Sequence, residues 1–163
     1  GVDVYVDAGD GATMSPPSAG TRASWFNKNA SNSKIEFGKG AVSPTASYYL
    51  EVYSDGNIYF YVSGNGSTTA YKTVAIAQDT NWHHLVGVYN GTTLTLYLDG
   101  VNVGGSTVGT VPGSLFDSTT PFTIGTGGQG GYVHHTTGTM DDVRIYNRAL
   151  SATEVKQLYY HGK

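Results

Sequence analysis

Hydrophobic and polar residues alternate along most of the chain, as they do in β-strands that bury one face. The clearest case is the pair of segments 48–53 and 57–62, which flank Ser54-Asp55-Gly56. A three-residue loop ending in glycine is typical of a hairpin with a type I turn and a bulge, and it pairs 53 with 57, 52 with 58, 50 with 60 and 48 with 62. One face then carries Leu50, Val52, Ile58, Phe60 and Val62. The other face, here called the tyrosine face, carries Tyr49, Glu51, Tyr53, Tyr59 and Tyr61.

A second hairpin is predicted from segments 85–89 and 94–98, and Asp99-Gly100 continues it into a third strand at 101–103. Both sides of segment 85–89 are apolar, so we expect this strand to be covered on both faces. Further strands are expected in five places: 2–7, 21–27, 35–37, 121–124 and 139–146. Residues 104–121 and the glycine-rich segment 125–131 are expected to be loops.

One helix is predicted, near the C-terminus. Ser151 and Glu154 have the spacing of a capping box, in which each side chain binds the other residue's backbone N–H. Leu150 and Val155 have the spacing of the hydrophobic staple that accompanies it. Together with the strands, this predicts one all-β domain over residues 1–163: an antiparallel two-sheet sandwich with a short C-terminal helix.

Composition supports this prediction and excludes several classes of protein. The 163 residues include 23 Gly and 13 Tyr, and only 13% are charged. The nine Lys and Arg residues are scattered, and the net charge is −3, so no basic stripe favours nucleic acid. No apolar run approaches the roughly 18 residues of a membrane span. The absence of cysteine excludes disulfides, thiolate zinc sites and cysteine nucleophiles, and is compatible with a secreted bacterial protein.

Catalysis by a pair of carboxylates is not expected. The chain has three glutamates, and Glu154 is assigned to the helix cap. Glu36 and Glu51 lie on different segments, and neither has an acidic partner at strand spacing. Asp141 and Asp142 are adjacent on a predicted strand, so their side chains should point to opposite faces. The sequence therefore predicts a protein that is not an enzyme.

Two pairs of consecutive histidines are candidate metal ligands. His83-His84 and His134-His135 should each split across a sheet, so neither pair chelates one ion. His83-His84 is expected to be structural. His134 and His135 follow a glycine loop that contains Tyr132, and these three residues form one candidate ligand site.

The tyrosine face is the other candidate ligand site. Tyrosine rings pack against the C–H faces of sugars, while their hydroxyls and Glu51 can hydrogen-bond sugar hydroxyls. The alternatives are that another strand or loop covers this face, or that tyrosine is present simply because it favours strands.

Two longer stretches carry a resemblance to a known family. The sequence NWHHLVGVYNG at 81–91, with the strand that follows it, resembles the central hairpin of laminin-G-like, concanavalin A-like jelly rolls. GTMDDVRIYNRALS at 138–151 resembles the final strand and helix cap of the same family. The resemblance covers most of the chain and implies a jelly-roll sandwich. Its members include carbohydrate-binding modules, adhesion domains and partner-binding domains, so the fold alone does not fix a function.

The sequence also departs from this family. A strand that the family usually has before Val2 is missing, and Arg22 stands where an apolar residue is preferred. Family members often hold calcium through acidic side chains and carbonyls near the domain termini. The resemblance implies that the first and last strands are neighbours, which predicts a structural Ca²⁺ site with four ligands: Asp7, Asp10, Asp141 and Asp142. The alternative is that Asp10 closes a turn and that Asp142 pairs with Arg144 or Arg148.

The function expected from these observations is a non-catalytic carbohydrate-binding or adhesion module of a larger extracellular, bacterial protein. Its partner would be a polysaccharide or a cell-surface glycan, bound on a shallow aromatic surface. One alternative is a structural or protein-interaction domain of a surface or phage-tail assembly. A second alternative is a polysaccharide-cleaving enzyme.

Overall fold

The computed structural model describes residues 5–11, 14–15, 18–30, 34–40, 45–127 and 134–162. The strands are β1 (Val6–Asp7), β2 (Gly20–Lys28), β3 (Ile35–Lys39), β4 (Tyr48–Val52), β5 (Asn57–Ser63), β6 (Thr69–Ala75), β7 (Trp82–Tyr89), β8 (Leu94–Leu98), β9 (Val101–Asn102), β10 (Ser106–Val108), β11 (Phe122–Ile124), β12 (Thr126–Gly127), β13 (His134–His135) and β14 (Gly138–Tyr146). The helix is α1 (Ala152–His161). Across the described ranges, no helix is long and apolar enough to cross a bilayer.

Two antiparallel sheets form the sandwich. The seven-stranded sheet has the order β1-β11-β3-β4-β5-β6-β10, and the five-stranded sheet has the order β14-β2-β7-β8-β9. Strands β12 and β13 form a small separate hairpin. The predicted fold class, a two-sheet antiparallel sandwich with one C-terminal helix, is confirmed.

The main core lies between the two sheets. Leu50 and Phe60 on the seven-stranded sheet and Phe26 and Leu85 on the five-stranded sheet are all fully buried. Gly87 lies opposite Phe60, and a Cβ at this position would stand 3.0 Å from the Phe60 ring. The absence of a side chain at Gly87 is therefore what lets the two sheets approach here.

Both predicted hairpins are present in the expected register. Strands β4 and β5 pair 48 with 62, 50 with 60 and 52 with 58, and Gly56 in their turn has a φ of 90°. Strands β8 and β9 pair 98 with 101. The two turn residues between them, Asp99 and Gly100, have φ of 52° and 77°, as a type I′ turn requires.

Helix α1 covers the outer face of the five-stranded sheet, so β7 is covered on both sides as expected. The Ser151 hydroxyl accepts the Glu154 backbone N–H at 3.3 Å, and Glu154 Oε2 accepts the Ser151 N–H at 2.8 Å. Leu150 and Val155 are buried against β7 residue Val86 in a second apolar cluster. The predicted capping box is confirmed, and both staple residues are buried as expected.

Several predicted boundaries were wrong. Residues 104–121, expected to be a loop, contain β10, which pairs with β6 along the sheet edge. Strand β6 was not predicted, and β12 lies in the segment expected to be a glycine loop. The sequence signal for β10 is weak because its three residues are exposed, and the strand forms because β6 offers unpaired backbone groups. Residues 2–4 of the first predicted strand lie outside the described residues.

Arg22 is fully buried between the sheets. Its guanidinium carbon lies 3.5 Å from the centroid of the Tyr48 ring, a cation–π contact. Within the described residues no carboxylate forms an ion pair with Arg22, and burial lowers the pKa of its guanidinium. Arg22 is therefore a buried charge stabilised by aromatic rings in place of a counter-ion.

Candidate functional site

The tyrosine face lies on the outer surface of the seven-stranded sheet. Along β4 and β5, core side chains alternate with the side chains of the tyrosine face, so the tyrosine face points away from the core. In one cross-strand row Tyr49 pairs with Tyr61, and Tyr61 pairs with Tyr71 of β6. In the next row Glu51 pairs with Tyr59. The predicted residues of the hairpin therefore lie together on one surface.

Ring stacking holds these tyrosines in place. The centroids of Tyr49 and Tyr61 are 4.2 Å apart with an interplanar angle of 16°, and those of Tyr61 and Tyr71 are 4.9 Å apart. Tyr59 stacks on Tyr61 at 5.6 Å. Its hydroxyl donates to Asp55 Oδ2 in the preceding turn at 2.7 Å. The rings on β4, β5 and β6 are half-buried, so the surface is an ordered aromatic row.

Tyr71 extends this row and was missed by the sequence reasoning. It lies on β6, where Ala70 and Val74 alternate with Tyr71 and Thr73. The period of two in this segment is a strand signal that could have been found. The strand with which β6 pairs could not be predicted, because the segment has no turn motif as clear as the one between β4 and β5.

A pair of carboxyl groups lies at one end of the tyrosine face. Strand β3 pairs with β4 so that Glu36 is directly opposite Glu51. The two residues are only 4% and 8% exposed. Neither glutamate has an acidic partner at strand spacing within its own segment, but the pairing of β3 with β4 places the two beside each other, which spacing within one strand could not predict.

Burial perturbs both carboxyls, and the charge of Glu51 adds to its effect on Glu36. Burial, followed by the charge of Glu51, raises the pKa of Glu36 to about 8. Burial raises the pKa of Glu51 to about 7, although Lys34 and a hydrogen bond from Tyr61 act in the opposite direction. Lys34 itself lies over the Tyr53 ring, with its ammonium 4.2 Å from the centroid. At neutral pH the pair therefore holds at least one proton.

The second predicted ligand site adjoins the tyrosine face. Thr126 of β12 pairs with His135 of β13. The Glu36 N–H donates to Thr136 Oγ1 at 3.1 Å, and the Gly125 N–H donates to the Glu36 carbonyl at 2.9 Å. Gly125, just before β12, and Thr136, just after β13, are thus hydrogen-bonded to β3, the strand that carries Glu36. Tyr132 lies outside the described residues, as does the side chain of His134.

The consecutive histidines of β7 point to opposite faces, as predicted. His83 packs at a tilt against Phe26, and its ring nitrogens lie 2.8 Å from Asp99 Oδ2 and 3.0 Å from Asp79 Oδ1. His84 packs on Trp25 at 5.2 Å, and burial lowers its pKa to about 4. Both rings support the hairpin turn and the helix contact, so His83-His84 is structural.

The four aspartates named as calcium ligands are not brought together. The Asp10 carboxylate binds the buried ammonium of Lys39, and Asp7 accepts the Gly9 N–H at 2.8 Å. No three His, Asp or Glu side chains in the described ranges come together as a metal site. These residues therefore do not fit a shared calcium ion, and calcium binding stays a prediction.

Asp141 and Asp142 lie on the same side of β14, so the prediction of opposite faces was wrong. Asp141 pairs with Trp25, and Arg144 pairs with Ala23. Two residues of β14 therefore lie between these pairs, whereas β2 has only one there. This bulge adds one residue, and Asp142 takes a φ of 50° within it. Arg144 Nε donates to Asp142 Oδ1 at 2.7 Å, which confirms the alternative pairing given for Asp142.

Comparisons with known proteins agree with this architecture. The family model described as "Concanavalin A-like lectin/glucanases superfamily" (Laminin_G_3) matches residues 1–156. Curated protein sequences give no significant match.

Solved structures share the fold at low sequence identity. The binding domain of botulinum neurotoxin DC in complex with SialylT matches with a TM-score of 0.70 and 13% identity, over 98% of this chain and 39% of that chain. The same domain in complex with rat synaptotagmin II has a TM-score of 0.67 at 12% identity, over 98% and 40%. The heptameric SAP-like pentraxin of Limulus polyphemus has a TM-score of 0.65 at 18% identity, over 96% and 82%. This chain thus spans about two fifths of the neurotoxin binding domains, and the likeness establishes the fold.

The family match spans nearly the whole chain, residues 1–156 of 163. The protein therefore belongs to the concanavalin A-like lectin/glucanase superfamily, in its laminin G-like branch.

Proposed function

We propose that this chain is a non-catalytic carbohydrate-binding module of a larger extracellular protein and that it binds a polysaccharide or cell-surface glycan on the tyrosine face. The observation that carries the proposal is the row of packed rings of Tyr49, Tyr61 and Tyr71, in which Tyr49 stacks on Tyr61 and Tyr71 packs at an angle against Tyr61. Aromatic rings accept the apolar faces of sugar rings, and the tyrosine hydroxyls bind sugar hydroxyls.

The dimensions of this surface suit an extended ligand. Neighbouring strands lie about 4.8 Å apart, so the three rings of the row span about 10 Å across the sheet. Burial and neighbouring charges raise the pKa of the Tyr49 and Tyr61 hydroxyls, which therefore stay protonated and able to donate. Stacking already restricts the rings, so binding costs little side-chain entropy. The surface is shallow, so each glycan contact is expected to be weak.

The relatives in fold support a recognition role. One neurotoxin binding domain is described in complex with SialylT, and cell entry of another depends upon interaction with two ganglioside molecules. The neurotoxin DC binding domain is also described in complex with a protein, rat synaptotagmin II. This chain matches only part of those domains. They therefore support a binding function in general, and the ligand of this chain has to be identified by experiment.

A polysaccharide-cleaving activity is the second candidate, and the Glu36–Glu51 pair is the observation that favours it. Retaining glycosidases place two carboxyls about 5–5.5 Å apart, and side chains directly opposite on neighbouring strands have Cβ atoms about 4.5–5.5 Å apart. These two carboxyls, however, lie side by side in one sheet and are both more than nine-tenths buried. A glycosidase pair flanks the scissile bond from two directions, so we favour binding.

The test is a glycan array followed by affinity electrophoresis, each run with and without calcium. We expect retardation by at least one polysaccharide, and a loss of at least tenfold in affinity when Tyr59 and Tyr61 are both replaced by alanine. Tyr160→Ala is the matched control, because Tyr160 is an exposed tyrosine on α1 that is remote from this face. Thermal midpoints establish that all variants are folded.

Three outcomes would change the assignment. Full retention of the Tyr59→Ala/Tyr61→Ala variant would dismiss the tyrosine face as the site. An array without any hit would favour a structural or protein-interaction domain. Reducing ends released from a polysaccharide by the wild type, and lost in Glu36→Gln, would establish the enzyme.

A further inference from the structure

A second concave surface lies on the opposite sheet, beside the C-terminal end of α1. It is a groove of about 900 Å³ lined by Trp25, Trp82, Asp141, Asp142, Arg144 and the last turn of α1. The tyrosine face is on the outer side of the other sheet, so the core of the sandwich separates the two surfaces. The sequence reasoning did not connect these residues.

The floor and one wall of the groove are aromatic. Trp25 is 8% exposed and stacks on Tyr159 with a centroid distance of 5.6 Å and an interplanar angle of 22°. Its buried Nε1–H, beneath Gly162, has no hydrogen-bond acceptor among the described residues. Trp82 is 46% exposed. A large aromatic ring left open to solvent at the rim of a groove is the kind of surface on which a ligand ring stacks.

The opposite wall is polar and is built by the bulge in β14. The Asp142–Arg144 ion pair is half-exposed, so both groups have hydrogen-bonding capacity left for a ligand. Asp141 is exposed beside them, and its Oδ1 accepts the Asp142 N–H at 2.7 Å. The wall thus presents carboxylate acceptors next to guanidinium donors, with much of the charge already compensated.

We propose that this groove is a second saccharide-binding site, which makes the module bivalent. The proposal rests on the proposed glycan-binding function. Trp82 takes the apolar face of a sugar ring, Asp141 accepts from its hydroxyls, and Arg144 donates to them. A ligand that both donates and accepts fits this mixed wall better than a simple anion or cation, because the ion pair offsets either charge. Two sites on opposite faces let one module link two glycan chains.

The two tryptophans make a selective probe, since the chain has no others. In a ¹⁵N–¹H spectrum both indole N–H signals report on the groove, whereas the tyrosine face contributes none. The protein is titrated with soluble neutral hexasaccharides built of glucose, mannose, xylose or N-acetylglucosamine, and separately with hexalysine. Calorimetry with the same saccharides gives the number of sites.

We expect a saccharide that binds at two sites and moves both indole signals. The Tyr61→Ala variant should keep these shifts and bind at one site, and so should Tyr49→Ala. Trp82→Ala and Asp141→Asn should each lose the groove site, with at least tenfold weaker binding there, and keep the other. Tyr5→Ala, at an exposed position just before β1 on the other sheet, should behave as the wild type. Because Trp82 and Asp141 are exposed, unchanged thermal midpoints are expected for their variants.

Other results would overturn the inference in distinguishable ways. Binding at one site that leaves both indole signals unmoved and is lost in Tyr61→Ala would remove the groove and retain the proposed function. Absence of binding by every saccharide, including those of the array, would overturn both proposals. Indole shifts caused by hexalysine alone would replace the saccharide with a basic peptide as the ligand of the groove.

Discussion

Replacing Glu36 by glutamine is predicted to stabilise this protein at alkaline pH. Glu36 and Glu51 are buried neighbours on β3 and β4. Burial, and then the charge of Glu51, raises the pKa of Glu36 from 4.5 to about 8. Burial likewise raises the pKa of Glu51 from 4.5 to about 7. Both carboxyls are therefore more easily ionised in the unfolded chain than in the folded one.

The direction and size of the effect follow from this difference. Between pH 4.5 and 8 the folded state binds more protons than the unfolded state, so stability is greatest at low pH and falls as pH rises through the folded-state values. A shift from 4.5 to about 8, at about 1.4 kcal/mol per pKa unit, gives a loss of roughly 5 kcal/mol once Glu36 is ionised. A typical domain has a total stability of about 5–15 kcal/mol, so the loss is large.

Urea denaturation at pH 5, 7 and 9 measures this effect. The wild type should lose several kcal/mol from pH 5 to pH 9. Glu36→Gln should match it at pH 5, lose less with rising pH, and exceed it at pH 9. Glu154→Gln is the control, because Arg148 and the helix cap lower the pKa of this exposed carboxyl to about 2, so no gain is expected at pH 9.

A wild type that is equally stable at pH 5 and 9 would refute the reasoning. So would a Glu36→Gln variant with the same pH slope as the wild type. Either result would mean that the two carboxyls are hydrated rather than buried together beside the tyrosines.

Four further predictions concern the scaffold. Arg22→Met should raise the free energy of unfolding by about 1–4 kcal/mol, because it removes a buried charge without a carboxylate partner. Gly87→Val should lower it by about 1–3 kcal/mol, since the new side chain meets the Phe60 ring. Ser151→Ala should cost about 1 kcal/mol through loss of the helix cap. EDTA should leave the thermal midpoint unchanged, because ion pairs already engage two of the four aspartates named for calcium.

Thermal and urea unfolding check all four. A destabilised Arg22→Met variant would mean that the contact with Tyr48 is worth more than the cost of burying the charge. A Gly87→Val variant as stable as the wild type would place the two sheets further apart than described. A midpoint lowered by EDTA and restored by calcium would establish the expected calcium site, because an ion bound only to the native state stabilises it.

Local patterns in the sequence determined the two clearest hairpins and the faces of their strands. Alternation within segments 48–53 and 57–62, with Gly56 in the turn, fixed both the hairpin and the surface that carries its tyrosines. A one-residue slip would have buried the tyrosines and exposed Leu50, so the hydrophobic effect allows one register. The capping box at Ser151 similarly fixed where the helix begins.

Tertiary structure alone decided which faces meet. Glu36 became the neighbour of Glu51 because β3 pairs with β4, and a period of two says which side a residue faces without saying which strand lies beside it. Asp142 lies on the same side of β14 as Asp141 because one extra residue in β14 breaks the period of two. Trp25 and Trp82 line one groove because helix α1 packs across the sheet from the end of the chain. Local sequence patterns determine which face of a strand a side chain occupies, whereas pairing between distant segments determines which side chains lie close together.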